Sequence, residues 1–294
     1  MSYTTIAVIY NPNSTGSGEA LARKLKTRIK ARLPKQKVEL IETEHPGHGK
    51  ELAYNLSKTS KNPLIISSSG DGGYNDVVNG VMKAKKEGFH PTAGILPAGN
   101  ANDHFNNLHD EDLVEQIVKG AVKNIDLLKI SGRSKGQSVE RYAHSYIGFG
   151  LTPIVGNELN KEKLNLVKEF FIVARSLFKV RPVQLMIHRK VQRYESIVFS
   201  NVDVMSKYLK ISQPSSLTDG KFEVTIFRKR SKLSLIFLLL QATTKPVQED
   251  AQVKKFVFRT IKKTLVQADG EIFELDPDSK VRISIEKQVL PCVV

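Results

Sequence analysis

Short apolar runs alternate with segments of helical spacing through the first hundred residues, and this alternation constrains the fold more than any other feature. The apolar runs at 3–10, 63–67 and 92–96 and the alternating segment at 37–42 predict strands, and the periodic segments at 19–33, 49–58 and 74–86 predict helices. Strand and helix in alternation are typical of a parallel sheet with helices on its faces. We therefore predict an α/β domain with a three-layer parallel sheet over residues 1–127.

The pattern changes after residue 126. Short apolar segments separated by turn residues predict strands at 143–147, 183–188, 195–200, 222–227 and 281–286. They indicate a mainly antiparallel, β-sandwich C-terminal domain over residues 128–294, with the last strand packing back on the first domain. The longest apolar run, residues 233–240, is far shorter than the roughly 20 residues of a membrane span, so it predicts a buried element.

Basic charge is concentrated in the second half of the chain. The net charge is +15, and residues 1–127 hold 16 Lys and Arg against 14 Asp and Glu, which leaves 29 against 16 for residues 128–294. Such an excess indicates an anionic partner, which could be nucleic acid, an anionic lipid surface or a polyphosphate. The single cysteine, Cys292, excludes an internal disulfide framework. No leader is recognised at the N-terminus, so we expect a cytoplasmic protein.

The sequence Ser-Gly-Asp-Gly-Gly-Tyr-Asn-Asp at 69–76 stands between a predicted strand and a predicted helix. Glycines there allow the backbone N–H groups to approach a phosphate closely, and the helix adds its positive end. Asp71 alone would repel phosphate, so its presence indicates a Mg²⁺ bridge or a hydrogen bond to a hydroxyl group. A strand-to-helix turn without a ligand is the alternative.

Two further loops follow predicted strands, at residues 11–18 and 96–103, and both are rich in Asn and small residues. Ligands of open parallel sheets bind outside the carboxyl ends of the strands. We therefore expect the three loops to form one site.

The order of these motifs resembles the diacylglycerol kinase catalytic family, which includes sphingosine kinases and soluble bacterial lipid kinases. The matching pieces are Asn-Pro at 11–12, Gly-Asp-Gly at 70–72, Leu-Pro-x-Gly-x-x-Asn-Asp at 96–103, Asp-Gly at 219–220 and Asp-Gly-Glu at 269–271. The resemblance spans nearly the whole chain. It implies a kinase that uses ATP and Mg²⁺ to phosphorylate a diacylglycerol-like lipid hydroxyl at a membrane surface.

The resemblance also implies roles for individual residues. Glu271 corresponds to the general base, and Asp71 to a catalytic residue that contacts the nucleotide or its metal. Asp219, with the main-chain carbonyls of Ser216 and Lys221, corresponds to a Mg²⁺-binding turn. Asp269 is expected to orient Glu271. The implied nucleotide-binding residues are Asn11, Thr43, Ser69, Gly70, Asp71, Gly72, Gly73, Tyr74, Asn75, Gly99 and Asn100.

Departures from the family pattern leave alternatives open. The family usually has Gly, Thr and Thr where this chain has Ser69, Gly73 and Asn100, so two potential phosphate donors are missing. One alternative is therefore a catalytically weak or inactive nucleotide-binding member of the family. A second is an NAD kinase, which also uses a Gly-Asp-Gly loop. A third is a basic nucleic-acid-binding module, although no aromatic stacking motif accompanies the charge, so no nucleic acid is expected.

Residues 161–179 predict a helix with an apolar stripe and several basic residues. Such a helix suits a membrane interface and a core-facing position equally well. Together with a lipid substrate, the basic second half predicts peripheral association with an anionic membrane surface. The sequence does not fix the oligomeric state, and a homodimer is compatible with it.

Overall fold

The computed structural model describes residues 3–13, 17–108, 112–159, 172, 175–176, 182–228, 231–247 and 251–294. The chain divides into two compact units. The first unit is Met1–Ile125 with Gln288–Val294, and the second unit is Asp126–Lys287. Nearly all of the helix predicted over 161–179 lies outside the described residues.

A parallel sheet covered by helices forms the first unit. Its strands are β1 (Thr5–Tyr10), β2 (Val38–Glu42), β3 (Pro63–Ser69) and β4 (Thr92–Pro97), in the order β2-β1-β3-β4. Its helices are α1 (Gly18–Arg32), α2 (His48–Thr59), α3 (Asp71–Lys86), α4 (Asp103–Leu108) and α5 (Leu113–Lys119). The final strand, β17 (Lys280–Val293), runs parallel beside β4 and pairs Cys292 with Ala93. The predicted parallel α/β fold is confirmed.

Both faces of the sheet are buried at β1, which explains why this central strand is almost entirely apolar and does not alternate. Ile6 and Val8 point to one face and form a cluster with residues of α1 and α5. Ala7 and Ile9 point to the other face, where α2 and α3 pack on the sheet, and they are equally buried. Strands covered on both sides read as continuous apolar runs. The unit therefore has the three layers that the alternation predicts.

Strands dominate the second unit. They are β5 (Val122–Ser134), which begins in the first unit, β6 (Gln137–Ala143), β7 (Tyr146–Gly150), β8 (Val183–Ile187), β9 (Lys190–Ser200), β10 (Val204–Met205), β11 (Leu209–Lys210), β12 (Phe222–Arg228), β13 (Ala251–Val253), β14 (Lys255–Thr260), β15 (Thr264–Ala268), β16 (Glu271–Leu275) and the first part of β17. The helices are α6 (Leu151–Leu159) and α7 (Lys232–Ala242).

Pairing in the second unit is antiparallel along β16-β15-β7-β9-β8-β14-β17, and also in the pairs β9–β12, β12–β13 and β5–β6. The core contains a group of phenylalanines in which the ring of Phe149 meets those of Phe199 and Phe258 edge-on. Edge-to-face contacts of this kind are favourable beyond the area that they bury. The predicted antiparallel, strand-rich second half is confirmed.

The apolar run at 233–240 departs from its prediction. It forms most of α7, but Leu233, Phe237 and Leu240 are exposed. The prediction of a buried element is wrong for this face, because hydropathy measures the preference of a segment and not the presence of a partner. None of the described helices is long and apolar enough to cross a membrane.

Candidate functional site

The carboxyl ends of β1 to β4 meet at one edge of the sheet of the first unit. The parallel register pairs the last residues of β1 and β2, and it pairs Ser69 at the end of β3 with Pro97 at the end of β4. Just beyond β2, the Thr43 amide donates a hydrogen bond to the Tyr10 carbonyl at 2.8 Å. Asn11, Thr43 and the two glycine-containing loops therefore lie along the same edge, where ligands of parallel sheets bind.

The loop after β3 contacts the loop after β4 through backbone atoms. The Ala98 amide donates to the Ser69 carbonyl at 3.0 Å. A side chain on Gly99 would place its Cβ 2.3 Å from the Cα of Gly70, a separation that real Cβ atoms do not adopt. Both glycines are therefore required by a close approach of two backbones. This contact joins the two loops into one surface.

The N-terminus of α3 opens at this surface. The first helical hydrogen bond runs from the Tyr74 amide to the Gly70 carbonyl at 3.1 Å. The amides of residues 70–73 therefore precede the intrahelical bonds and point out of the positive end of the helix. Closely spaced amides at a helix N-terminus bind phosphate oxygens readily.

Asp71 links this loop to α4. Its Oδ2 accepts a hydrogen bond from the Asp103 amide, and its Oδ1 accepts one from the His104 amide, both at 3.2 Å. The carboxylate therefore caps α4 while lying in the first turn of α3. Sequence reasoning gave Asp71 only a role toward the ligand, and the structure adds a structural one.

Ser69 and Gly73 share one space. A Cβ on Gly73 would lie 2.6 Å from Ser69 Oγ, so this arrangement accommodates a side chain at only one of the two positions. The Ser69 hydroxyl is held by Ser67 Oγ at 2.6 Å and by the Gly70 carbonyl at 2.9 Å. The two departures from the family pattern in this loop are therefore a single exchange, in which the hydroxyl moves from position 73 to position 69.

Asn102 belongs to the motif at 96–103, but the sequence analysis gave it no role. Its Oδ1 accepts from the Gly99 amide and its Nδ2 donates to the Gly99 carbonyl, both at 3.0 Å. It has a φ of 55°, a left-handed conformation that Asn tolerates better than most residues. Asn102 thus fixes Gly99 against Gly70, while Asn100 itself is exposed.

Tyr74 and Asn75 do not present their side chains at the loop surface. Both are buried; the Tyr74 hydroxyl lies 3.2 Å from Cys292 Sγ, and Asn75 Oδ1 accepts from Asn79 Nδ2 at 3.0 Å. The expectation that these residues bind nucleotide is corrected for their side chains, which instead support α3 from inside the unit.

In the second unit, Glu271 is the first residue of β16 and follows a tight hairpin turn. The turn residues Asp269 and Gly270 have φ values of 45° and 92°, as two-residue hairpin loops with mirror-image turns require. Glu271 Oε2 accepts from Arg141 Nη1 at 2.5 Å, and the Glu271 side chain is 28% exposed. The Arg141 guanidinium also lies 4.5 Å from the ring centre of Phe273. Glu271 is therefore accessible and oriented by an arginine.

Asp269 anchors that hairpin. Its Oδ1 accepts from the amides of Ser145 and Tyr146 at 3.1 and 2.8 Å, and its Oδ2 accepts from the His144 amide at 2.5 Å. The carboxylate is fully buried. Asp269 therefore binds the backbone between β6 and β7, and the expectation that it orients the Glu271 side chain directly is corrected. It positions the turn from which Glu271 begins.

The turn around Asp219 offers oxygen ligands at the surface of the second unit. Asp219 is exposed, and its Oδ1 accepts from the Lys221 amide at 2.9 Å. The next amide, of Gly220, donates to the buried Asp126 Oδ2 at 2.6 Å and thereby holds the turn in place. Mg²⁺ is usually bound by one or two carboxylates with several waters, so one exposed carboxylate is compatible with such a site. Across the described ranges, no three His, Cys, Asp or Glu side chains cluster as metal ligands.

Comparison with known proteins finds diacylglycerol kinases among the relatives of this chain. Residues 5–130 match the diacylglycerol kinase catalytic domain. The chain is 26% identical over 248 residues to the diacylglycerol kinase of Bacillus subtilis (strain 168), covering 78% of this chain and 75% of that protein. Residues 5–130 are therefore similar to the catalytic domain of diacylglycerol kinases. The chain is also 32% identical over 119 residues to sphingoid long-chain bases kinase 1 of Arabidopsis thaliana, covering 38% of this chain and 16% of that protein.

Solved structures agree on the fold. A diacylglycerol kinase from Bacillus anthracis str. Sterne matches all of this chain and 97% of its own with a TM-score of 0.70, at 16% sequence identity. At that identity, the likeness establishes the diacylglycerol kinase fold alone.

Proposed function

We propose that this chain is an ATP- and Mg²⁺-dependent lipid kinase that phosphorylates a hydroxyl of a diacylglycerol-like lipid at a membrane surface. The observation that carries the proposal is the contact of Gly70 with Gly99, which joins two loops beside the N-terminus of α3. Similarity to diacylglycerol kinases supports the acceptor class, an alcohol on a lipid. The basic second half supports peripheral attachment to an anionic membrane at its cytoplasmic side.

The nucleotide belongs to the edge of the first unit's sheet. The amides of residues 70–73 and the positive end of α3 are suited to the phosphates, and the Ser69 hydroxyl would donate to a phosphate only by giving up its hydrogen bond to the Gly70 carbonyl. Asn11, Thr43 and Asn100 follow strand ends along the same edge and remain at least partly exposed. Asp71 would contact the nucleotide or its metal. When bound, Mg²⁺ neutralises the charge of the transferred phosphate, and Asp219 with the carbonyls of Ser216 and Lys221 would hold such an ion in the second unit.

Glu271 is proposed to act on the acceptor lipid as the general base. A lipid hydroxyl is a weak nucleophile until a base removes its proton as the phosphoryl group arrives. In the proposed step the hydroxyl oxygen bonds to the γ-phosphorus, the bond to the β-phosphate oxygen breaks, and the proton passes to Glu271 as ADP forms. Arg141 is a positioning residue in this scheme, because it fixes the carboxylate through an ion pair.

A transfer assay with radiolabelled ATP tests the proposal. Diacylglycerol, monoacylglycerol, sphingosine and phosphatidylglycerol are offered in mixed micelles, with NAD as a further acceptor, and label is expected in a lipid product. Label in NAD alone would identify an NAD kinase instead. ATP binding without transfer to any acceptor would identify an inactive family member, and salt-sensitive DNA binding without ATP turnover would favour a nucleic-acid-binding module.

The first prediction concerns Glu271→Gln. The amide keeps the shape of the side chain but cannot accept the proton, so kcat on an accepted lipid should fall by about 10²–10⁴-fold. ATP affinity, measured by calorimetry, should stay unchanged. The matched control is Glu274→Gln, because Glu274 lies on the same strand and forms an exposed ion pair with Lys263 at 3.2 Å. Asp71 offers a less clean test, since removing its carboxylate also uncaps α4.

Two outcomes would contradict the role of Glu271 as the base. Full activity of Glu271→Gln would mean that the residue is only part of the hairpin. Weaker ATP binding with an unchanged kcat would move it to the nucleotide site. Thermal unfolding of both variants separates these outcomes from a loss of fold.

A further inference from the structure

The outer face of α7 carries apolar side chains that the second unit leaves exposed. Leu233, Phe237 and Leu240 are 77%, 69% and 47% exposed. Their spacing of four and then three residues puts them on one face of the helix. Large apolar side chains grouped on a surface usually mark a site for another protein or for a membrane.

The opposite face of α7 holds the helix in place. Leu235 and Ala242 are buried, and Leu238 packs on a cluster that contains Ile211 and Phe227. The start of the helix is fixed as well, because Lys232 Nζ lies 3.2 Å from Glu195 Oε2 on β9. The outer face is therefore not needed for the core, although a helix that is apolar all round normally has both faces covered.

Charge at the two ends of α7 selects the kind of partner. Residues 228–245 contain five Lys and Arg and no Asp or Glu. Lys210 adds a cation beside the end of the helix, where its Nζ donates to the Thr244 carbonyl at 3.4 Å. An apolar face on a helix with cations near both ends matches the boundary between anionic headgroups and acyl chains.

We propose that α7 docks this chain on an anionic lipid bilayer, with Leu233, Phe237 and Leu240 entering the headgroup boundary. The helix has 11 residues, and a membrane span needs roughly 20, so α7 lies along the surface. The proposal rests on the proposed function in one respect, namely that a lipid kinase must reach an acceptor held in a bilayer. It uses none of the residues assigned to the nucleotide or to the base.

A single tryptophan tests whether this face meets lipid, because the chain contains no tryptophan of its own. In Phe237→Trp, adding vesicles of phosphatidylcholine with phosphatidylglycerol should shift the emission to the blue, and brominated lipids should quench it. The matched control is Val191→Trp, since Val191 is another exposed apolar residue, at 55%, outside α7. Its emission should not change. Emission from Phe237→Trp that is already blue-shifted without vesicles would overturn the proposal, because the face would then be covered within the protein or by a second copy.

Vesicle sedimentation tests the contribution of the face to binding. Replacing Leu233, Phe237 and Leu240 together by Gln should lower partition onto anionic vesicles about tenfold or more at both low and high salt. The paired control, Val191→Gln with Leu265→Gln, removes exposed apolar side chains elsewhere and should bind as the parent does. Undiminished binding by the triple variant would overturn the proposal. So would a triple variant that binds vesicles normally but loses self-association in sedimentation velocity, since that assigns the face to a second copy.

These measurements are made without ATP. They therefore stand if no lipid is phosphorylated, and failure of the kinase assay does not count against α7. Retained ATP binding and an unchanged circular dichroism spectrum establish that the triple variant is folded.

Discussion

At the scale of single residues, the roles of Ser69 and Gly73 can be separated only by substituting them both singly and together. Gly73→Thr alone places a side chain against Ser69 Oγ, 2.6 Å from the position of its Cβ, and should destabilise the loop. Ser69→Gly alone removes a hydroxyl and should weaken ATP binding. The double variant restores the family arrangement, so we expect a coupling energy of about 1–3 kcal/mol between the two changes. Calorimetric ATP affinity and thermal unfolding of the four proteins measure it.

Strict additivity of the two changes would contradict this interpretation. It would mean that the hydroxyl at position 69 does not replace the one missing at position 73. The useful control is Ser68→Ala, because Ser68 Oγ instead donates to the buried Gly18 carbonyl at 2.7 Å. That change should lower stability without coupling to Gly73→Thr.

Residue roles could be predicted only where they follow from local sequence. The loop at 69–76 was recognisable because its glycines stand between a strand and a helix. Arg141 could not be recognised from the sequence, because its partner Glu271 is 130 residues away and no sequence spacing links the two. Asn102 is part of a recognised motif, but its bracing of Gly99 depends on a left-handed backbone that the sequence does not reveal.

At the scale of elements, the contact between α2 and α3 depends on Gly80. A Cβ there would lie 2.4 Å from the Lys50 carbonyl oxygen and 2.7 Å from the Ala53 Cβ. Ala normally stabilises a helix interior relative to Gly by about 0.5–1 kcal/mol. Here we expect Gly80→Ala to destabilise the protein by about 1–3 kcal/mol, because the backbones must move apart. Chemical denaturation measures the change.

A second variant sharpens this test. Adding Ala53→Gly removes the side-chain contact but leaves the Lys50 carbonyl in place, so it should not rescue Gly80→Ala. Full rescue, or a stabilising Gly80→Ala, would show that the two helices are packed less closely than this contact requires.

Elements were predictable where burial has a clear period. The strands of the first unit match the predicted segments within a few residues, because covered central strands give apolar runs and the edge strand β2 alternates. Helix α3 begins at Asp71 and not at the predicted Tyr74, since tertiary contacts override the low helix propensity of the glycines. In α7, the apolar run carried no information about what would cover its outer face.

At the scale of the whole molecule, the chain returns to its starting unit. Residues 288–294 belong to the first unit, and Leu290, Cys292 and Val293 are fully buried there. An apolar C-terminal segment can be read from the sequence, but the strand beside which it lies cannot. Its register is set by contacts with residues some two hundred positions earlier, such as the pairing of Cys292 with Ala93.

Cys292 consequently reports on the integrity of the first unit. Burial raises the pKa of its thiol to about 12, against a smaller opposing effect of the Tyr74 hydroxyl. A thiol reacts as the thiolate, so at pH 8 we expect almost no labelling of the native protein and rapid labelling after unfolding. The labelling rate in native buffer should follow the opening of the first unit. Rapid stoichiometric labelling of the native protein would contradict the buried position of the final strand.

The same thiol should make stability depend on pH in a defined direction. The folded state keeps the Cys292 proton up to about pH 12, whereas the unfolded chain releases it from about pH 8.5. Between these values the folded state binds more protons, so the thiol's contribution to stability is complete below the lower pH and is lost as the pH rises. Cys292→Ala removes this contribution, so the unfolding free energy of the variant should fall less steeply over this window than that of the parent. Parallel curves for the two proteins would show that the thiol is not held in its protonated form by burial in the first unit.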